Sequence, residues 1–472
     1  MITQTKVVAT VGPASSSLEM LEALARAGVD VFRINFSHGD EQTHEQSLRN
    51  IRAVEEKIGE PIAVMADLCG PKIRVGKIAG EKVTLTAGTT LTIQSDPIDG
   101  TAERISTTLP QLPAEAVVGQ AILINDGAIR LEVIEARPLR EILCRVRVGG
   151  VLSSGKGVNL PDTALTMPAM TEKDRRDAAW IAAREFDYVA LSFVREARDV
   201  EGLRDVLTAA GCGAKIVAKI EKPQALENIE SIIDAADAVM VARGDLGVEM
   251  DLSAVPFVQK RIARLCQERG KCCIIATQML ESMTHAAAPT RAEVSDVANA
   301  VLDATDAVML SGETAVGEYP VAAVEMMNRI VAQAQAYYDH QNHSLHVTYA
   351  PARTEAALAA AVHRIVETEP IAAVAVFSIT GTTARMFAKH RPACPILGLS
   401  TDIKTVRGMC LYYGVVPVQV GPCQHTREVL ATASAVALKK GLARKGDRIV
   451  VVSGRPLGAP GNTNTLVIHT IE

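Results

Sequence analysis

The sequence predicts an α/β protein: a (β/α)₈ TIM barrel with an inserted small β-barrel lid domain and a separate C-terminal α/β domain. Three observations carry this reading. Eight short β-branched runs alternate with helical stretches, the rhythm that builds parallel sheets through βαβ crossovers. The rhythm breaks once, over 69–165, into alternating runs rich in Gly, Thr and Val, such as Lys82-Val83-Thr84-Leu85-Thr86. After a polar gap it resumes as a second helix and strand alternation.

The eight barrel strands are expected near Lys6–Val11, Val29–Asn35, Pro61–Asp67, Tyr188–Phe193, Lys215–Ile220, Ala238–Ala242, Cys272–Thr277 and Ala307–Leu310. Helix starts are marked by capping-box spacings at Ser16 with Glu19 and at Thr171 with Asp174, and Leu18, Leu21 and Leu24 form an apolar stripe behind the first. The insert leaves directly after Asp67, at the C-terminal end of the third strand, so it is expected to hang over the face where barrel enzymes keep their chemistry. The polar run Asp339–Thr348 reads as a linker. Strands near Ile371–Phe377, Pro395–Leu399, Val415–Val420 and Arg448–Val452 follow it. The expected division is 1–68 with 166–340 for the barrel, 69–165 for the lid and 346–472 for the last domain.

Length and composition agree with this. At roughly 150 residues per domain, 472 residues hold two to four domains. Lys plus Arg is 49 against 54 for Asp plus Glu, and aromatics are 3%, so neither the basic excess nor the stacking rings of a nucleic-acid reader are present. No apolar tract approaches the roughly 18 residues of a membrane span, and no export signal is visible at the start. Nine unpatterned cysteines, Cys69 among them, read as reduced thiols of a cytoplasmic protein.

Polar residues at the C-terminal ends of barrel strands meet substrate, and here those positions are loaded. They hold Arg33 to Gly39, Asp67, Ser192, Lys219 with Glu221, Arg243-Gly244-Asp245, and Thr277. Glu221 and Asp245 close successive strands, so their carboxylates can converge on one hard divalent cation, Mg²⁺ or Mn²⁺; the competing reading is a rim ion pair and a helix cap. Lys219, two residues before Glu221, points to the same face. With Arg33 and Arg74 it suits a phosphorylated, anionic substrate.

Thr5 to Pro13, Arg33 to Gly39, Asp67 to Arg74, Lys156 to Pro161, Lys219-Ile220-Glu221, Met240 to Glu249, Ala276 to Leu280 and Leu310 to Ala315 together resemble the signature segments of pyruvate kinases, in order and along nearly the whole chain. The resemblance implies Mg-dependent phosphoryl transfer from phosphoenolpyruvate to ADP, giving pyruvate and ATP at the last step of glycolysis. By the match, Glu221 and Asp245 bind the metal. Lys219 neutralises the transferred phosphoryl group and the enolate, and Arg33 holds phosphoryl oxygens. Ser192, Gly244, Asp245 and Thr277 line the substrate. Thr277 sits where the enolate is protonated, with a helix N-cap as the competing reading. Asn35, His38, Arg74 and Lys156 face the nucleotide, and Asp126 reaches in from the lid or serves only as a hairpin residue.

Family members that need K⁺ build its site from positions matching Asn35, Ser37, Asp67 and Leu68 and usually carry Glu where this chain has Lys72. A lysine charge near the vacant ion position can replace the cation, so the chain is expected to be K⁺-independent. Ser378, Thr380, Gly381, Thr382 and Thr383 follow an apolar strand and open a helix, an anion-binding arrangement. This matches the effector loop of bacterial members activated by sugar phosphates or nucleotides and makes the C-terminal domain regulatory; a polar helix cap is the competing reading, and Arg455 reaches a second phosphate or none. A homotetramer is implied by the resemblance alone. A metal-dependent oxo-acid aldolase or lyase on the same barrel, and a silent sugar-phosphate sensor, are the alternatives.

Overall fold

A computed structural model describes residues 3–137, 140–163, 165–340, 354–459 and 461–472, with the side chains of 338–340 excepted. The greater part of the expected linker, 341–348, lies outside the described residues.

Strands β1 (Lys6–Val11), β2 (Val31–Asn35) and β3 (Ala63–Asp67) are followed by a run of eight short strands. These are β4 (Lys82–Leu85), β5 (Thr90–Gln94), β6 (Arg104–Ser106), β7 (Ala121–Ile124), β8 (Ile129–Arg137), β9 (Glu141–Val148), β10 (Gly150–Ser153) and β11 (Val158–Asn159). Five more, β12 (Tyr188–Leu191), β13 (Lys215–Ile220), β14 (Ala238–Ala242), β15 (Cys272–Ala276) and β16 (Ala307–Leu310), complete a closed parallel barrel in the order β1-β16-β15-β14-β13-β12-β3-β2. Strand ends move by one or two residues from the expected positions. At the first helix, Leu18–Arg26, the N-cap is Ser17, which accepts from Met20 N, and not Ser16; in a run of three serines the cap falls on the one nearest the apolar stripe. Thr171 with Asp174 forms the expected capping box.

Alternation decides what each barrel residue faces. Val8, Val31, Met65, Ala190, Val217, Met240 and Ile274 belong to one buried cluster, while their neighbours Val7, Phe32, Val64, Val189, Ile216, Val239 and Cys273 belong to another that packs under the helices. The first cluster fills the barrel and runs on without a break into the C-terminal domain through Phe387, Met409 and Tyr412, so that domain seals the barrel floor.

The six strands of the lid run β11-β7-β8-β9-β5-β6 as a half-barrel sheet, beside a two-stranded β10-β4 ribbon.

The C-terminal domain has β17 (Ile371–Phe377), β18 (Ile396–Ser400), β19 (Val415–Gln419), β20 (Arg448–Gly454) and β21 (Thr463–Thr470), ordered β19-β18-β17-β20-β21. The edge strand β21, antiparallel to β20, was not anticipated: Thr-Asn-Thr-Leu-Val-Ile-His-Thr is half exposed and lacks a clean apolar alternation.

The floor is pinned by charge as well as apolar packing. The helix Thr382–Lys389 ends in Lys389, 1% exposed, whose ammonium lies 2.5 Å from Asp306 Oδ2 just ahead of β16. The same oxygen accepts from Cys273 N, and Arg391 donates to the carbonyl of Thr305. Removing one partner of a buried pair strands the other, so Lys389→Met is expected to cost about 3–5 kcal/mol, read as a lowered denaturant midpoint. His390 beside it is driven by burial, and then by His363, from 6.5 down to about 4. A depressed His stays neutral in the folded chain while the unfolded chain protonates. Stability is therefore expected to decline as pH falls from about 6.5 to about 4, and His390→Gln should flatten that slope in urea titrations at several pH values.

Candidate active site

The inward-facing alternation continues past the apolar layers. After Val31 it places Arg33, after Met65 Asp67, after Ala190 Ser192, and after Val217 first Lys219 and then Glu221. These five side chains meet at the barrel's C-terminal mouth. Lys219 has three N–H groups and three acceptors: Ser192 Oγ at 2.7 Å, Glu221 Oε1 at 2.9 Å and Asp67 Oδ1 at 3.1 Å. Arg33 donates Nε to Asp67 Oδ2 at 2.6 Å and Nη1 to Thr10 Oγ1 at 3.0 Å. Thr10, which sequence reasoning missed, is two residues after the inward-facing Val8, so its position in the alternation was the available signal.

Charge balance here is set by burial. Burial raises the carboxyl of Asp67, 1% exposed, but Arg33 and Lys219 outweigh it and hold the group below its usual range. Burial lowers Lys219, but Asp67 and Glu221 outweigh it and push the ammonium well above its ordinary value. Lys219 therefore stays charged at neutral pH. Glu221 is raised by burial against the pull of Lys219, with Asp245 adding to the rise.

Asp245 lies in the first turn of the helix Arg243–Glu249 after β14 and is half-buried. Gly244 N donates to Thr277 Oγ1 at 2.7 Å, and that hydroxyl donates to the Ala276 carbonyl at 2.6 Å. Thr277 caps no helix of its own; it caps the helix of the neighbouring strand. It holds φ at +68°, where a β-branched residue is strained, and Phe193 after β12 sits at +55° while donating N–H to Glu221 Oε2. Two acids thus adjoin a cationic cluster beneath the lid.

Other predicted residues lie further out. Asn35 ends β2 and its Oδ1 accepts from Ser37 N; His38 is exposed and its carbonyl meets His44 Nε2. Leu68 is buried and its carbonyl accepts from Ser192 Oγ. Arg74 and Lys156 sit at the lid base, where Arg74 Nη1 bonds the Gly155 carbonyl and the Lys156 carbonyl accepts from Val75 N. Lys72 is exposed and lines a narrow crevice between lid and barrel with Asp126, Phe193 and Asp245. Asp126 is also part of the β7–β8 turn, at φ +53°. Cys69 is half-buried and has no evident role.

In the C-terminal domain, Ser378, Thr380 and Thr383 line a cleft of about 250 Å³, with Gly381 at φ +79° opening the helix Thr382–Lys389. Thr382 Oγ1 accepts from Thr380 Oγ1. Arg455 is not among the lining residues: its Nη2 donates to Thr426 Oγ1, because the loop after β20 turns its side chain toward the helix Thr426–Lys439.

Fold and site together define a lidded (β/α)₈ barrel enzyme built for an anionic substrate. The chain matches the family described as pyruvate kinase, barrel domain, over residues 2–324, and pyruvate kinase, alpha/beta domain, over 355–469. It is 42% identical to the pyruvate kinase of Methylorubrum extorquens over 98% of this chain and 97% of that one. It is 40% identical to that of Geobacillus stearothermophilus over 99% of this chain and 80% of that one. A crystal structure of a pyruvate kinase from Cryptosporidium parvum superimposes with a TM-score of 0.94 at 34% identity, covering 100% of this chain and 96% of that one. The chain belongs to the pyruvate kinase family. It is a glycolytic phosphotransferase acting on phosphoenolpyruvate and ADP, in a family that generally uses Mg²⁺ and K⁺; the aldolase and sensor alternatives are not favoured. No helix among the described residues is long and apolar enough to cross a membrane.

The Thr277 hydroxyl gives a direct test. Thr277→Val keeps the shape but leaves Gly244 N–H without its acceptor, and is expected to cost about 1 kcal/mol or more in chemical denaturation, whereas Thr277→Ser should restore most of it.

Proposed function

We propose that the Lys219 cage, with its three acceptors and fixed charge, is the phosphoryl-transfer centre, and that the remaining predicted residues take their roles around it. The observation carrying this reading is that Arg33 and Lys219 converge on Asp67 at the mouth while the acids Glu221 and Asp245 adjoin on the other side. Among the described residues no group of three or more His, Cys, Asp or Glu side chains is placed to hold a metal. A two-carboxylate set fits a Mg²⁺ or Mn²⁺ ion whose shell is completed by substrate oxygens and water. When bound, the ion supplies positive charge to the carboxylate and enol oxygens of the substrate.

The chain's own residues do the rest by position and charge. Arg33, held by Asp67 and Thr10, presents its unengaged N–H groups to the phosphoryl oxygens. Ser192, Gly244 and Thr277 line the enolpyruvate, with Ser192 also orienting the Lys219 ammonium. The P–O bond to the enol oxygen breaks as a β-phosphate oxygen of ADP bonds phosphorus, and Lys219 stabilises the charge left on the enolate. Because Lys219 stays protonated, the proton that completes pyruvate arrives on the Thr277 side through water. Asn35, His38, Arg74, Lys156 and Asp126 take the nucleotide.

The division at 69–165 and 346–472, a cytoplasmic location and a homotetramer belong to the same reading. So does binding of a phosphorylated allosteric effector at Ser378, Thr380, Gly381, Thr382 and Thr383, with Arg455 held back by Thr426. Lys72, carried into the lid crevice near Asp245, supplies the charge that K⁺ provides elsewhere around Asn35, Ser37, Asp67 and Leu68. The test is the initial rate of pyruvate formation from phosphoenolpyruvate, ADP and Mg²⁺ without K⁺, then with it. High activity indifferent to K⁺ is expected, and Lys72→Glu should make the rate K⁺-dependent. A wild-type rate that appears only with K⁺ removes the role given to Lys72 and keeps the reaction.

A further inference from the structure

We infer that Glu249 is a positioning residue that latches the lid onto the barrel beside the metal-binding acids. Glu249 ends the helix Arg243–Glu249, one turn after Asp245, so both carboxylates leave the same helix face, and both line the crevice under the lid. Its side chain is fully buried. Oε1 accepts two bonds, from Lys222 Nζ at 2.5 Å and from Asn159 Nδ2 at 2.8 Å, while Oε2 is buried with no hydrogen-bond partner among the described residues.

The two donors come from different bodies. Lys222 directly follows Glu221, is itself 7% exposed, and matches the Glu249 charge from within the barrel. Asn159 belongs to β11 of the lid, which pairs with β7 through Val158↔Ile124 and Asn159↔Leu123. Just before β11, the Gly157 carbonyl accepts from Asn125 N of the turn that carries Asp126, and the Lys156 carbonyl accepts from Val75 N. The Asn159–Glu249 bond therefore pins the part of the lid that bears Lys156 and Asp126. Other bonds between insert and barrel lie at its two roots, Gly70 N to Asp174 Oδ1 at the entry, and Gln224 Nε2 to the Pro161 carbonyl and Arg195 to the Leu165 carbonyl at the exit.

A neutral amide donating to a buried carboxylate makes a strong bond that breaks without stranding a charge, since Lys222 stays on Glu249 when the lid lifts. The barrel half of the latch is thus permanent and the lid half releasable. The unpartnered Oε2 offers a second acceptor for any donor that enters the crevice as the lid shuts. The consequence for nucleotide affinity rests on the reading that Lys156 and Asp126 face ADP.

The test uses the full-length enzyme. Asn159→Ala removes the donor, and Asn159→Asp sets a second carboxylate against Glu249. Both are expected to raise deuterium uptake across 156–159 in the unliganded protein, Asn159→Asp more so, and to raise KM for ADP about tenfold while kcat and KM for phosphoenolpyruvate move less than about twofold. A merely structural role would shift all three together or none. Wild-type uptake and an unchanged KM for ADP in both variants, with circular dichroism showing them folded, overturn the latch. Lys156→Ala tests the nucleotide reading separately: an unchanged KM for ADP there overturns that reading, while raised uptake in the Asn159 variants still supports the latch.

Discussion

The Asp67 carboxylate is the hinge of the active site. It is almost wholly buried, and burial alone would neutralise it, yet Arg33 and Lys219 both bond it and keep it ionised. Each cation is in turn held in one orientation by the shared anion, with Thr10 and Ser192 taking further donors. Positive charge is thereby fixed at the mouth, and in the proposed mechanism it needs no reorganisation when charge develops during transfer. Lys219 stays protonated because two acids surround it, and the pressure on Glu221 is the reciprocal of that arrangement.

The rest of the fold supplies rigid surroundings for that cluster. Strands β2, β3, β12 and β13 carry it as the last inward-facing layer above an apolar barrel interior. That interior is closed below by the C-terminal domain, where Tyr188 OH bonds the Gly408 carbonyl at 2.5 Å and Lys215 bonds the Tyr412 hydroxyl. Tyr188 and Lys215 begin the two strands beyond whose far ends lie Ser192 and Glu221. The domain holding the candidate effector cleft and the candidate catalytic cluster therefore grip opposite ends of the same strands, which places a two-state element between them only if the floor can shift as a unit. Above the mouth, the lid touches the helix that presents Asp245, and the latch at Glu249 makes lid position and acid position parts of one arrangement.

Much of this was legible in the residues themselves. Alternation with period two forces Arg33, Asp67, Ser192, Lys219 and Glu221 inward once the barrel is recognised, and the capping spacing at Thr171 fixes a helix start wherever the chain goes. Short-range rules also singled out the loop proposed to hold an effector, since a strand, a glycine and hydroxyls at a helix start are neighbours in sequence. They failed where the deciding contact was remote. β21 gains its order from β20, and Arg455 turns to Thr426, a partner in another element.

By itself the sequence determined which side chains reach the barrel mouth and what charges they bring, because backbone geometry converts spacing directly into facing. Only the tertiary structure decided how those charges are paired. That Lys219 has three acceptors, that Thr277 caps a neighbouring helix, and that Asn159 meets Glu249 across the lid are facts of distance between residues far apart in the chain. Hydrogen bonds and desolvation act over a few ångströms, so their outcome is set when the barrel closes and the lid seats, and it cannot be read from any local stretch.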